Sequence, residues 1–309
     1  MFTTERLGDI IDQWLAVSSS NNATRKSYRG IMYNCWIRYL HRVGANPQNP
    51  SAQDVVNYMD DLRDNGYSAY TINNRLSVIK SFYKWCDKNR KYSDIGKDIK
   101  YFRQNKYNNK KPLDDEQIVQ LISSIDTNTK KGKRDICIVD LMMWNNLRAC
   151  EVARLNVGDI KGDILYIQRK GHIGKDSPTR LHPIVLEHLE SYLKAERLED
   201  GKEPLFASQC RANKYRRCGF TPNAISKLVK KMLVRAGIKD KKITCHSLRH
   251  TFGTLMARYN VPLDDIKELM GHTDTKVTLI YVKSAHEQAL LKSPPSFPII
   301  AQYYTKVNR

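Results

Sequence analysis

His246 and Arg249 stand three residues apart inside the run CHSLRHTFGTLMARYNVPLDDIKELMGHTDTKVTLIY, Cys245 to Tyr281. On a helix that spacing puts both on one face, where an imidazole and a guanidinium can close on one small anionic group. The pair reads as a phosphate clamp. An amphipathic stretch follows, with Pro262 early and Asp264, Asp265 and Glu268 towards its positive end, and Gly271 supplies a helix stop. His272 comes directly after that stop, and a short apolar helical pattern then ends on Tyr281. Far upstream, Arg148 lies where the apolar run Asp135 to Leu147 gives way to a new helical face; an arginine there is costly unless it is paired or used. Each residue alone has an ordinary reading, as solvated face or core rim, but together they describe a site for phosphodiester chemistry. Arginine forks hold non-bridging oxygens, imidazoles move protons, and a positioned tyrosine hydroxyl serves as nucleophile.

The strings H-S-L-R-H-T-F-G-T and L-M-G-H, with nine residues from His272 to Tyr281, resemble the second half of the catalytic domain of tyrosine recombinases, the phage-integrase family. The resemblance implies Arg148 as a first catalytic arginine, with Asn146 where that family usually has the glycine of G-L-R; asparagine tolerates a left-handed backbone, so the turn is expected to survive. It implies Lys170, in Lys170-Gly171, as the lysine of a β-hairpin, and Lys175 in the same loop competes for the role. Tyr281 would form a 3′-phosphotyrosyl link, and Lys170 would protonate the departing oxygen to leave a free 5′-hydroxyl. His246 would be base or proton shuttle, and His272 would hydrogen-bond the phosphate. The set holds no carboxylate cluster for magnesium, so the expected chemistry needs no metal and no cofactor. Double-stranded DNA is the implied partner, bound by a homo-tetramer that passes through a Holliday junction, with accessory DNA-bending or directionality proteins as further partners. A type IB topoisomerase-like enzyme and a non-catalytic DNA-binding relative are the alternatives. The compact layout resembles Xer-like or transposon integrases.

The elements that must carry these residues follow from periodicity. The fold class expected is mainly α: a helical N-terminal core-binding (SAM-like) domain, then an α-rich catalytic domain with a small antiparallel sheet. Residues 1–88 show four helical patterns, Thr4 to Val17, Thr24 to Val43, Ser51 to Asn65 and Ser68 to Lys88, with Asn22 or Thr24 and Ser51 as N-caps. Their aromatics read as core, and Arg25, Lys26, Arg29, Arg75 and Lys80 as phosphate contacts. Residues 89–111 read as a basic linker whose Arg103, like Lys175 further along the chain, reads as a DNA contact. Residues 112–285 form the expected catalytic domain, with strands over Ile164 to Arg169 and Thr179 to Ile184, and helices over Leu186 to Glu196 and Thr221 to Gly237. Its loop SQCRANKYRRCG, with Arg216 and Arg217, reads as DNA-facing. In residues 286–309, the apolar Phe297, Ile299 and Ile300 suggest a segment that docks on a neighbouring subunit.

The whole chain agrees with this. It has 309 residues, enough for two domains with real cores, and 52 Lys+Arg against 32 Asp+Glu leave a formal charge of +20. A polyanion is the economical partner for such a surface. No apolar run approaches the roughly 20 residues of a membrane helix, and the start lacks a signal peptide's layout, so a cytoplasmic, nucleoid-associated protein without membrane partners is expected. Seven cysteines with no C-x-x-C pair read as reduced thiols.

Overall fold

The computed structural model describes residues 6–19, 21–103, 110–169, 172–208, 218–271, 275, 278–283 and 285. Lys170, Arg216, Arg217, His272 and the segment 286–309 lie outside these residues. The chain divides into two compact units, Met1–Tyr107 and Asn108–Arg309. Both are built mainly of helices, and among the described residues no helix is long and apolar enough to cross a membrane.

The first unit contains α1 (Leu7–Ser18), α2 (Asn22–Gly30), α3 (Arg38–Arg42), α4 (Ala52–Asp64) and α5 (Ala69–Lys88), with a π-helical stretch, Ile31–Ile37, joining α2 to α3 without a break. The four expected helices are thus present. The cap of α2 is Asn21, one residue earlier than expected, and its side chain accepts from the Ala23 N–H at 2.8 Å. Ser51 caps α4 as expected, in a reciprocal box with Asp54. Trp14, Trp36, Phe82 and Tyr83 fill the core, and the Trp36 indole N–H donates to the Tyr83 hydroxyl at 3.1 Å, so neither polar group is buried unpaired. Tyr70 departs from the core reading and is exposed.

The basic segment after α5 is laid back along that helix. Tyr92, Ile95, Ile99 and Phe102 pack against the first core. The Asn73 side chain makes a two-way bridge with the backbone of Phe102, donating at 2.8 Å and accepting at 2.9 Å.

The second unit opens with α6 (Asp115–Ser123), capped by Asp114 and Gln117 in another reciprocal box, and α7 (Lys130–Met143). Helix α7 is wrapped on all sides: Ile136, Cys137, Ile138, Val139, Leu141 and Met142 are all buried. One-turn α8 (Ala149–Val152) leads to the sheet β1 (Ile160–Lys161), β2 (Ile164–Ile167) and β3 (Ser177–Arg180), antiparallel in that order. Leu165 faces Thr179 and Ile167 faces Ser177. Gly162, with φ +60°, makes the β1–β2 turn. The return strand is shorter than expected. Pro183 occupies the first turn of α9 (Pro183–Glu196) and the His182 side chain accepts from the Ile184 N–H, so the helix starts three residues earlier than Leu186 and ends the strand at Arg180.

A two-residue ribbon, β4 (Ala207–Ser208) with β5 (Cys218–Gly219), precedes α10 (Pro222–Arg235), whose cap is Thr221. Then come α11 (Cys245–Arg258), α12 (Leu263–Met270) and helical residues 278–283. Gly271, at φ +57°, stops α12 in the left-handed conformation that the sequence implied.

Candidate active site

The turn between α7 and α8 is the foundation of the site. Asn146 takes the left-handed conformation, φ +57°, and is buried; its side-chain amide donates to the Leu269 carbonyl at 3.2 Å. Arg148 follows as the cap of α8. Its backbone N–H and its Nη1 both donate to Glu151, each at 2.8 Å, so the carboxylate closes the cap and holds the guanidinium at once. The Arg169 Nη1 lies 3.5 Å from the other face of this contact, at Glu151 Oε2, and the Glu151 side chain is 0% exposed.

Arg249 enters from α11 and is 1% exposed. Its Nη1 donates to the Asn146 carbonyl at 2.5 Å and its Nη2 to the Met270 carbonyl, which fixes the fork between the α7–α8 turn and the end of α12. Burial lowers its pKa to about 10, with Arg148 pushing the same way and Glu151 opposing, so it stays cationic at neutral pH. His246 lies one turn earlier on α11 and keeps an exposed edge. Desolvation by the protein around it lowers its pKa, and Arg249, Arg148 and Lys110 add to the effect, so the imidazole is neutral at pH 7. Its ring meets His250 edge-on at 4.8 Å, and His250 in turn lies 5.2 Å from the ring of Tyr281.

Tyr281 is 3% exposed and packs with Ile266 and Met270. Burial raises its pKa, while Arg249 and Arg148 pull it down, which places the phenol within the field of both arginines. A glycine makes this packing possible: a Cβ on Gly253 would lie 2.8 Å from Tyr281 Cγ and Cδ1 and from Met270 Sδ. Beside the group runs a cleft of about 980 Å³, whose lining includes Arg148, Arg169 and Asp176 together with Asp265, Glu268 and Leu269 of α12.

Four residues singled out from the sequence, Arg148, His246, Arg249 and Tyr281, are therefore brought together. Lys170 and His272 lie outside the described residues. Lys175 is ion-paired with Asp159, and both side chains are largely buried. In the first unit, Arg25 donates to the Ser19 carbonyl at 2.5 Å, Arg29 pairs with Asp12 at 2.8 Å, and Arg75 stacks over Tyr67 at 4.5 Å. The Lys80 ammonium donates to the Ile99 carbonyl at 2.7 Å, while Lys26 and Arg103 are exposed. Sequence reasoning missed Glu151, Arg169 and Gly253. Glu151 had a signal, the three-residue step from Arg148 that marks a capping box; Gly253 sits inside the quoted H-T-F-G string, yet its contact with Tyr281 has no local trace.

Comparison with known proteins places these features. Residues 111–288 match the phage integrase family, and residues 11–89 match the phage integrase N-terminal SAM-like domain. The tyrosine recombinase XerA of Pyrococcus horikoshii is 26% identical over 278 residues, covering 89% of each chain. The tyrosine recombinase XerD of Listeria innocua is 27% identical over 284 residues, 89% of this chain and 94% of that one. Among solved structures, the Tn1549 transposon integrase in complex with circular intermediate DNA superposes with a TM-score of 0.68 at 17% identity, over 91% of this chain and 98% of that one. A lambda integrase tetramer bound to a Holliday junction gives 0.66 at 15% identity, over 89% and 76%. With its catalytic and SAM-like regions both matched, the chain belongs to the phage integrase family and is a tyrosine recombinase.

Proposed function

We propose that this recombinase cuts and rejoins duplex DNA at specific sites through a covalent phosphotyrosine on Tyr281, without metal or nucleotide cofactor, as a homo-tetramer passing through a Holliday junction. The observation that carries the reading is the placement of the Tyr281 phenol in the field of Arg249 and Arg148. The two guanidiniums hold the non-bridging oxygens of the scissile phosphate and stabilise the charge that grows on them. The Tyr281 oxygen attacks phosphorus, its proton passing to the neutral imidazole of His246, and the bond from phosphorus to the 5′ oxygen breaks. Lys170 protonates the departing 5′ oxygen, an assignment supported by the ion pair that engages the Lys175 ammonium with Asp159. His272 hydrogen-bonds the phosphate. One ester replaces another, so a second 5′-hydroxyl reverses the step on a new partner strand. The relatives supply the assembly: the lambda integrase is a tetramer on a Holliday junction, and the Tn1549 integrase holds circular intermediate DNA.

The basic surface of the chain extends the proposal to the parts around the site. The first unit, with the exposed Lys26 and Arg103, grips the duplex beside the cut, with Arg216 and Arg217 as further phosphate contacts, and residues 286–309 dock on the next subunit. Covalent trapping tests the reading, using nicked duplexes selected for binding from a random pool, in EDTA. Wild type is expected to form a denaturant-resistant adduct and Tyr281→Phe none. An adduct that survives in Tyr281→Phe overturns the assignment of the nucleophile, and no adduct from wild type on tightly bound duplex overturns the enzymatic reading.

A further inference from the structure

Glu151 is a single, fully buried carboxylate that faces two arginines, and the second of them has no part in the chemistry set out above. We propose that Arg169 is a third guanidinium of the phosphate site, contacting a non-bridging oxygen of the scissile phosphodiester beside Arg148 and Arg249. The inference rests on the recombinase reading and adds a catalytic residue to it.

Arg169 follows β2, where Leu165 and Ile167 point inward and are 0% exposed, and it continues that inward face with its side chain 17% exposed. From there it lines the same cleft as Arg148. The position is unfavourable for an arginine that serves packing alone. Burial lowers its pKa, the neighbouring Arg148 opposes its charge, and Glu151 compensates both cations with one negative charge. A neutral donor would satisfy Glu151 without that repulsion, so the second cation is explained by an anion that arrives from outside.

The anion follows from the donors: a planar guanidinium beside that of Arg148 suits the oxygens of a phosphodiester. Negative charge grows on the non-bridging oxygens as the tyrosine oxygen attacks, and a fixed cation placed there stabilises that growth more than the ground state, which accelerates the reaction. Asp176, Asp265 and Glu268 also line the cleft and repel an anion, so a phosphate is favoured next to the two arginines.

The test uses suicide duplexes with sulfur replacing either non-bridging oxygen at the scissile position, and the single-turnover rate of adduct formation by the full chain. Wild-type rates on the oxygen duplex establish the recombinase chemistry independently. Arg169→Gln is expected to slow that step by about 10²-fold with duplex affinity little changed, the typical loss for one transition-state donor. Arg169→Lys, which keeps the charge without the fork, is expected to fall between. The decisive readout is stereochemical: sulfur at one of the two positions slows wild type, and both Arg169 variants lose that selective penalty. An unchanged rate overturns the proposal. So does a slowed variant that keeps the wild-type response to both sulfur positions, because Arg169 would then act only by positioning Glu151 and Arg148. If wild type forms no adduct on tightly bound oxygen duplex, the recombinase reading fails and this inference with it.

Discussion

Replacing Gly253 by alanine probes the seat of the nucleophile with a single methyl group. The added carbon would lie 2.8 Å from Tyr281 Cγ and Cδ1 and from Met270 Sδ, whereas ordinary contact begins at 3.4 Å. Ring or helix must therefore yield by at least about 0.6 Å, the difference between those distances. Overpacking of this kind costs about 1–3 kcal/mol, and it falls on the small cluster of Ile266, Met270 and Tyr281 rather than on the main core. The kinetic effect should exceed the thermodynamic one, because displacing a reacting group by about 1 Å can cost about 10²-fold in rate. Single-turnover trapping of the Gly253→Ala adduct, with duplex affinity and thermal melting measured alongside, is the assay. The expected result is near-wild-type binding, a modest loss of melting temperature and a slowing of adduct formation between about 10- and 100-fold. Adduct formation at the wild-type rate would refute the reasoning, since it would mean that Tyr281 reacts from a position where Gly253 no longer touches it.

Two further perturbations follow from the same geometry. His246 titrates below the ordinary imidazole value of 6.5, so the rate of adduct formation should rise with pH and level off below that value, and His246→Gln should remove this acid limb from a pH–rate profile. The sign for folding agrees: the folded state resists protonation at this site, so stability falls as pH drops through 6.5 towards the lowered pKa. Asn146→Gly keeps the positive φ and the carbonyl that receives Arg249, and should fold and cleave; Asn146→Ala pays about 1–2 kcal/mol for a left-handed alanine, which denaturant unfolding will show as a lower midpoint.

Much of this was legible in the sequence because it is local. The helices follow from apolar periodicity, the stop at Gly271 from its freedom at positive φ, and the turn before Arg148 from the tolerance of asparagine for the same conformation. Of the four convergent residues, His246, Arg249 and Tyr281 stood out by motif spacing and Arg148 by its place at the end of an apolar helix. Other features were hidden for a physical reason. Glu151 gathers Arg148 from three residues before it and Arg169 from just after β2, 18 residues away, and only the second of these contacts needs the tertiary fold. The basic side chains of the first unit show the converse: Lys80 reads as a phosphate contact from its charge alone, but its ammonium caps the carbonyl of Ile99, and no pattern in a helix announces where a later segment will lie. The early start of α9 is an intermediate case, since Pro183 marked it and the alternating residues before it argued for a longer strand.

The two carbonyls that hold Arg249 belong to residues 103 positions before it and 21 after it. During synthesis the guanidinium therefore emerges long after one of its anchors and well before the other. Until Met270 has left the ribosome the fork lacks the second of these carbonyls, and closing a contact across 103 residues is among the slower steps of folding. The frame around Arg249 is thus completed late in the nascent chain, and a polypeptide released early, before α12, would carry Arg148 and Arg249 without the carbonyl that fixes the far side of the fork.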